Sequence, residues 1–164
     1  MFLRNLLLGL TAALVAACAG VSEPPVSGPV KQRIELHKRT DKPIHIGDGG
    51  GNLSDFTADE RAPNPRSFHE WTFNLTELPT VAVIDVAMYS LTSFCPTVLA
   101  VNSHDVRDLA TSGASGLGVM TEVKVVVPKD KFVTGTNVLS ISEKLCGGGG
   151  LNDSLIRTLI ITLH

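Results

Sequence analysis

The sequence is dominated by short runs in which apolar and polar residues alternate with a period of two. These runs are rich in β-branched residues and have the length of strands: 33–37, 68–75, 80–89, 97–101, 119–127, 137–142 and 154–163. Such alternation places successive side chains on opposite faces of a strand, whereas a helix needs apolar residues three or four positions apart. Turn-forming glycine, proline and asparagine separate the runs. The pattern predicts an all-β fold, an antiparallel sandwich of seven or eight strands, with one helical turn near 105–110.

The charge balance bears on the partners of such a domain. The chain carries 14 Lys and Arg against 16 Asp and Glu, a formal net charge of −2, with 43% apolar residues. These proportions are typical of a globular protein, and they leave no basic excess with which to neutralise a run of phosphates. Nucleic acid is therefore not an expected partner.

The first residues predict export and a membrane anchor. Arg4 precedes an uncharged apolar run from 6 to 17, which is shorter than the roughly 20 residues that a membrane-spanning helix needs. The run ends in Leu14-Val15-Ala16-Ala17-Cys18, which resembles a bacterial lipobox. That resemblance implies a signal peptide over 1–17 and acylation of Cys18, for example with palmitate. An ordinary Ala-x-Ala cleavage site within 13–19, with an incidental cysteine, is the alternative.

The residues after the cysteine indicate where the protein is sorted and how the mature chain is divided. Ala19 stands where an Asp would be the usual signal for retention in the inner membrane, so the resemblance implies the outer membrane, with the protein facing the periplasm. Pro24, Pro25 and Pro29 disfavour both helix and sheet. We expect a lipidated tether over 18–31 that anchors the chain without spanning the membrane, and one β-sandwich domain over 32–164.

Three segments of the domain combine an apolar strand with asparagine or glycine at its end. The strand Val98-Leu99-Ala100-Val101 runs into Asn102, Gly135-Thr136-Asn137-Val138-Leu139-Ser140-Ile141 follows Pro128, and Asn152-Asp153 precedes the last strand. Over about residues 68–164 this order resembles galactose-binding-domain-like proteins. The resemblance implies a jelly-roll β-sandwich, a scaffold used by carbohydrate-binding modules, by accessory domains of glycosidases and by binders of lipid head groups or proteins. One departure is that Ser103-His104 replaces the glycine of the family's Asn-Gly turn.

Two cysteines remain once Cys18 is assigned to lipid. Cys95 and Cys146 stand 51 residues apart, each at the end of a predicted strand. In an oxidising compartment such a pair favours a disulfide over a metal or redox site. The bond would join the 92–96 loop to the 145–153 loop, and two buried free thiols are the alternative.

Motifs for catalysis are missing from the sequence. There is no His-Glu-x-x-His, Cys-x-x-Cys or Gly-x-Ser-x-Gly, and the glycine runs at 113–118 and 147–150 lack the lysine of a phosphate-binding loop. We therefore expect a protein that is not an enzyme. A hydrolase ranks third among the candidate functions, on the presence of His69, Asp85 and other carboxylates alone.

Ligand-binding residues are expected at the ends of strands. Tyr89 and Phe94 are candidate platforms for sugar rings, whereas Trp71 lies within a strand and is assigned to the core. Asn152 and Asp153 are candidate polar contacts. Asp48 and Asp153, in glycine-rich loops, are candidate Ca²⁺ ligands, and turn formation is the alternative role for both.

These observations lead to a primary expectation and an alternative. The first is an envelope lipoprotein whose non-catalytic module binds a glycan or polysaccharide. The second is a protein-interaction or assembly lipoprotein of the bacterial envelope, favoured by an aromatic content of only 5%. The two differ in whether the surface of the sandwich offers stacking platforms.

Overall fold

The computed structural model of the protein describes residues 26, 28–47, 67–89, 95–112, 119–145 and 153–164. The described residues form nine strands: β1 (Gln32–His37), β2 (Ile44–Ile46), β3 (Phe68–Leu75), β4 (Val81–Tyr89), β5 (Thr97–Val101), β6 (His104–Asp108), β7 (Met120–Pro128), β8 (Gly135–Glu143) and β9 (Ser154–Leu163). Two short 3₁₀ turns, Leu109–Ser112 and Lys129–Lys131, are the helical elements of this part of the chain. None of its helices is long and apolar enough to cross a membrane.

The strands form two antiparallel sheets. One sheet has the order β1-β9-β4-β7, with β2 also paired to β9, and the other has the order β3-β8-β5-β6. Apart from the β5–β6 hairpin, neighbours in each sheet come from separate parts of the sequence, so the chain crosses repeatedly between the two layers. The fold is a jelly-roll β-sandwich, and the predicted fold class is confirmed.

One core lies between the two sheets, and it is built by the alternation seen in the sequence. Along β4 the residues Ala82, Ile84, Val86 and Met88 are buried, while those between them are half-exposed. The remaining strands contribute their own alternate residues to the same cluster, and Trp71 packs against it, as expected. Burial of one face of each strand therefore fixes the register of both sheets.

The segment after β5 differs from the prediction. A helical turn was expected near 105–110, but the chain reverses at Asn102 and Ser103 and continues directly as β6. Both turn residues have positive φ, 50° and 65°, which suits a two-residue hairpin turn. The helical turn begins only at Leu109, where Asp108 Oδ1 accepts a 2.9 Å hydrogen bond from the Ala110 amide. Strand β2, only three residues long, was also not predicted.

The two ends of the sandwich differ in the length of their connections. At one end, named here the turn end, short segments join β3 to β4, β5 to β6 and β7 to β8. At the other, the loop end, the described chain stops after β2, after β4, after the 3₁₀ turn that follows β6, and after β8. The chain therefore leaves the described strands at the loop end and returns to them there four times, at the segments 48–66, 90–94, 113–118 and 146–152.

Candidate functional site

Of the residues predicted to bind ligand or metal, the structure describes Tyr89 and Asp153, and both lie at the loop end. Tyr89 ends β4, Asp153 directly precedes β9, and Cys95 lies two residues before β5. The other predicted site residues lie outside the described residues: Cys18, Asp48, Phe94, Cys146 and Asn152. Phe94 and Asn152 are nevertheless the direct chain neighbours of Cys95 and Asp153. Their roles, and those of the described residues, stay predictions.

Tyr89 lies at the rim of the five-stranded sheet. It is paired with Leu155 on one side and with Met120 on the other, and it is half-buried. Its side chain packs on Leu155, which is buried in a small cluster apart from the main core. The ring is thus partly held by packing and partly open to solvent, as a contact residue at a rim requires.

Asp153 is a buried carboxylate with a partner that the sequence analysis did not identify. Its Oδ1 lies 2.6 Å from Nε2 of His45, and both side chains are about 5% exposed. The alternation Ile44-His45-Ile46 was the available signal, because a histidine within a buried strand needs a partner. The pair ties β2 to the start of β9, so Asp153 has a structural contact besides its predicted roles.

The described residues do not by themselves form a calcium site. Calcium takes six to eight oxygen ligands, and one carboxylate oxygen of Asp153 is already hydrogen-bonded to His45. Within the described ranges, no group of three or more His, Cys, Asp or Glu side chains is placed to hold a metal ion. Asp48, the other predicted ligand, lies outside them.

Glu143 is a second buried carboxylate at the loop end, and it was also missed. Its Oε1 accepts a 3.0 Å hydrogen bond from Thr97 Oγ1, while its Oε2 has no hydrogen-bond partner in the described part of the chain. Burial raises the pKa of Glu143 to about 7, opposed by hydrogen bonds from Ser154 and Thr97 and reinforced by the charges of Asp153 and Asp108. The Ser154 bond links β9 of one sheet to β8 of the other, so Glu143 joins the two layers beneath the loops.

Cys95 is buried close to the strand that leads to Cys146. Thr97 is paired with Glu143, and the Lys144 amide donates a 2.9 Å hydrogen bond to the Pro96 carbonyl. This pairing brings the chain just before β5 alongside the chain just after β8. The register favours the predicted Cys95–Cys146 disulfide, which stays a prediction because Cys146 is not among the described residues.

The structure does not bring His69 and Asp85 together. His69 lies in β3 and its ring contacts Trp71, with 4.5 Å between the ring centroids. Asp85 lies in β4 of the other sheet, where its Oδ1 is 3.2 Å from Lys124 Nζ. The two residues that motivated a hydrolase therefore do not share a site.

The outer face of the five-stranded sheet forms a wide trough of about 720 Å³. Its floor consists of small or branched residues of β9, namely Thr158, Ile160 and Thr162. Charged residues of the flanking strands, including Arg33 of β1 and Lys124 of β7, form its walls. The trough runs along the strands toward Tyr89, and both signs of charge line it.

Comparison with known proteins gives similarity in solved structures only. No protein-family model and no curated protein sequence matches the chain. It is similar to a family 35 carbohydrate-binding module from Clostridium thermocellum, with 14% identity over 79% of this chain and 97% of that one, at a TM-score of 0.47. A family 35 module from Cellvibrio japonicus has 18% identity over 79% and 92% of the chains, at a TM-score of 0.43. A family 36 module in complex with calcium and xylotriose has 11% identity over 79% and 97%, at a TM-score of 0.40.

These values leave the function of the chain to be argued from its own residues. All three identities lie below 20% and all three TM-scores below 0.5. A jelly-roll sandwich also serves unrelated functions, which are determined by the sites on its surface and not by its core.

Proposed function

We propose that this chain is a non-catalytic glycan-binding module of the bacterial envelope, displayed from the outer membrane by a lipid on Cys18. The observation that carries the proposal is the convergence of four connections, among them the three longest between strands, on one end of a two-sheet frame. Binding residues are commonly borne by loops that a rigid scaffold holds in place. Tyr89 and Asp153 lie at the base of these loops. Phe94 stands five residues after Tyr89 in the sequence, and Asn152 directly precedes Asp153.

The direction of chain entry supports display of the loop end. Lys31 donates a 2.8 Å backbone hydrogen bond to the Leu163 carbonyl, so the chain enters at the turn end. At about 3.3 Å per residue, the ten residues of β9 separate the two ends by roughly 33 Å. A lipid on Cys18 would hold the turn end toward the bilayer and the loop end toward the periplasm.

A binding role without catalysis also fits the titratable residues of the loop end. His45 and Asp153 are bonded to each other and buried, and Glu143 is buried beneath the loops. General acid–base catalysis needs a group that can reach a proton on the substrate. These three residues instead connect strands, and we assign them to the support of the binding surface.

Calcium remains part of the proposal as a ligand of the loops. Asp48 and Asn152 would have to supply oxygen atoms beside Asp153, which is also bonded to His45. Bound calcium would stabilise the loops and raise the melting temperature, and EDTA would reverse that change. If neither calcium nor EDTA changed the melting temperature, the proposed calcium site would be wrong. Glycan binding would still be tested by the array.

The proposal is tested by a glycan array followed by calorimetry. We expect the full chain, purified in mild detergent, to bind at least one neutral or envelope polysaccharide, and Tyr89→Ala to weaken that binding at least fivefold. Leu78→Ala at the turn end is the control, because it removes an apolar side chain from the surface away from the loop end. Absence of binding to every glycan, with and without calcium, would contradict the proposal.

A second candidate function is docking of an envelope protein in the trough of the five-stranded sheet. Its floor has small and hydroxyl-bearing residues, its walls carry both signs of charge, and Glu35, Ile160, Asp85 and Lys124 lie side by side across it. Such a surface suits a polypeptide segment better than a sugar ring, which favours aromatic contact. Ile160→Arg should release a co-purified protein partner, whereas Val133→Arg at the turn end should retain it; equal retention would exclude the trough.

A further inference from the structure

Phe68 is the most exposed phenylalanine, tyrosine or tryptophan in the described part of the chain. This residue opens β3 at the loop end and is 51% exposed, whereas Phe73 and Phe132 are 6% and 4% exposed. Complete burial of a phenylalanine side chain contributes about 1.5–3 kcal/mol to stability. Because half of the Phe68 side chain is exposed, its contribution is smaller than this. The neighbours of Phe68 show what a ring in this position can bind.

Three polar side chains surround Phe68 on the outer face of the four-stranded sheet. Phe68 is paired with Ser142, and Glu70 is paired with Ser140. Paired residues of antiparallel strands lie on the same face with Cβ atoms about 4.5–5.5 Å apart, and residues two apart along a strand are about 7 Å apart. Phe68, Glu70, Ser140 and Ser142 therefore form one surface, named here the Phe68 patch.

The charge of the Phe68 patch distinguishes it from the trough on the other sheet. Glu70 is its one charged residue, and the next pair along the strands, Thr72 with Val138, is uncharged. A carboxylate accepts hydrogen bonds only, so it favours a ligand that offers O–H donors and repels an anionic one. The combination of one ring face, two hydroxyls and one carboxylate is complementary to a neutral sugar.

We infer that the Phe68 patch is a subsite for a neutral pyranose, with the apolar face of the sugar stacked on the Phe68 ring and adjacent sugar hydroxyls donating to Glu70. A pyranose ring is about 5 Å across, so a sugar on Phe68 reaches Glu70 across the roughly 7 Å step between the two residues. Ser140 and Ser142 supply further hydroxyl contacts. The inference rests on the proposed function and extends the binding surface from the loops onto the four-stranded sheet.

Affinity electrophoresis of the full chain tests this subsite. The probes are three neutral polysaccharides, β-glucan, xylan and galactomannan, and the anionic polygalacturonate. Phe68→Ala should weaken binding to the retained neutral glycan at least fivefold, and Phe68→Leu should weaken it similarly because it keeps apolar area but loses the ring face. Phe68→Trp should restore binding, and Glu70→Gln should weaken it with no change in melting temperature.

Val133→Ala is the matched control, because Val133 is 51% exposed, like Phe68, and lies at the turn end. If the wild-type chain binds a neutral glycan and Phe68→Ala binds it equally well, the subsite is wrong while the proposed function stands. If the wild-type chain retains polygalacturonate in preference to the neutral glycans, the subsite is also wrong. If it retains none of the probes and no array glycan, the proposed function fails together with it.

Discussion

Asn102 Nδ2 donates a 2.8 Å hydrogen bond to Asn137 Oδ1 and so joins the β5–β6 turn to the start of β8. Asn137 is fully buried, and it also receives the Val133 amide and donates to the Val133 and Gly135 carbonyls. Asn102 accepts a hydrogen bond from the Val138 amide at Oδ1, and its own backbone amide donates to the Val138 carbonyl. The two asparagines therefore bond to backbone groups of Lys131, Val133, Gly135 and Val138 at the turn end.

Replacing Asn137 should be among the most damaging single changes to the domain. Asn137→Ala leaves the Val133 amide and the Val133 and Gly135 carbonyls without their side-chain partner in a buried site. Several such losses amount to about 2–4 kcal/mol of unfolding free energy. Urea unfolding followed by circular dichroism measures the change. Asn74→Ala, which removes an exposed hydrogen bond to Thr136, should change stability by less than about 0.5 kcal/mol; equal effects would refute the assignment.

Ser103 occupies a turn position that suits glycine better. Its φ of 65° lies in the left-handed region, where a side chain is strained by roughly 1 kcal/mol or more. We expect Ser103→Gly to raise the unfolding free energy by about 0.5–1 kcal/mol, the strain relief being partly offset by the greater freedom of glycine in the unfolded chain. The same urea experiment tests this. A loss of stability would mean that the Ser103 hydroxyl contributes more than the strain costs.

Glu143 should make the domain less stable as the pH rises. Its pKa is raised from 4.5 to about 7, so the folded state holds a proton that the unfolded state releases between those values. Its stabilising contribution is therefore complete below pH 4.5 and lost by pH 7, a change of at most about 3 kcal/mol. Glu143→Gln is neutral at every pH. The unfolding free energy of this variant minus that of wild type should therefore be larger at pH 8 than at pH 5.

The comparison with Glu143→Gln separates this effect from that of His37. Burial lowers the pKa of His37, so its contribution is lost as the pH falls below 6.5 and has the opposite sign. Both proteins share His37, and the difference between their stabilities at each pH isolates Glu143. A difference that does not change between pH 5 and pH 8 would show that Glu143 does not titrate in this range.

A Cys95–Cys146 disulfide would stabilise the loop end. Closing a loop of 51 residues restricts the unfolded chain by about 4 kcal/mol on the entropy model. We expect peptide mass mapping to find the two cysteines linked before reduction, and Cys95→Ser to lower the melting temperature. Alkylation of both thiols in the unreduced protein would contradict the bond.

The fold was largely predictable because burial follows the alternation of the sequence. Strands β4 and β8 are long enough for a period of two to be unambiguous, and Gly135, with positive φ, marks the turn that begins β8. Strand β2 was not predictable, because three residues carry no period and it is defined only by pairing with the distant β9. Strand β6, which follows the Asn102–Ser103 turn, was missed because its sequence His-Asp-Val-Arg-Asp has one apolar residue and so shows no alternation.

The candidate site was less predictable because it depends on contacts between distant residues. Nothing in the sequence pairs His45 with Asp153, which are 108 positions apart, or brings Glu143 beside Thr97. Phe68 reads as one apolar residue of a strand, and only the register shows that it lies on the outer face beside Ser142. Strand identity is local information, whereas these groupings depend on the assembled sheets.

Hydrogen–deuterium exchange in the presence of a saturating glycan locates the binding surface on the chain. Using a glycan that the array identifies, we expect amide exchange to slow at the loop end, in peptides containing Phe68, Tyr89, Cys95 and Asp153. Exchange should stay unchanged at the turn end, in peptides that cover the Asn102–Ser103 turn and residues 129–134. Slowed exchange at the turn end alone, or in the trough around Ile160 alone, would contradict the account.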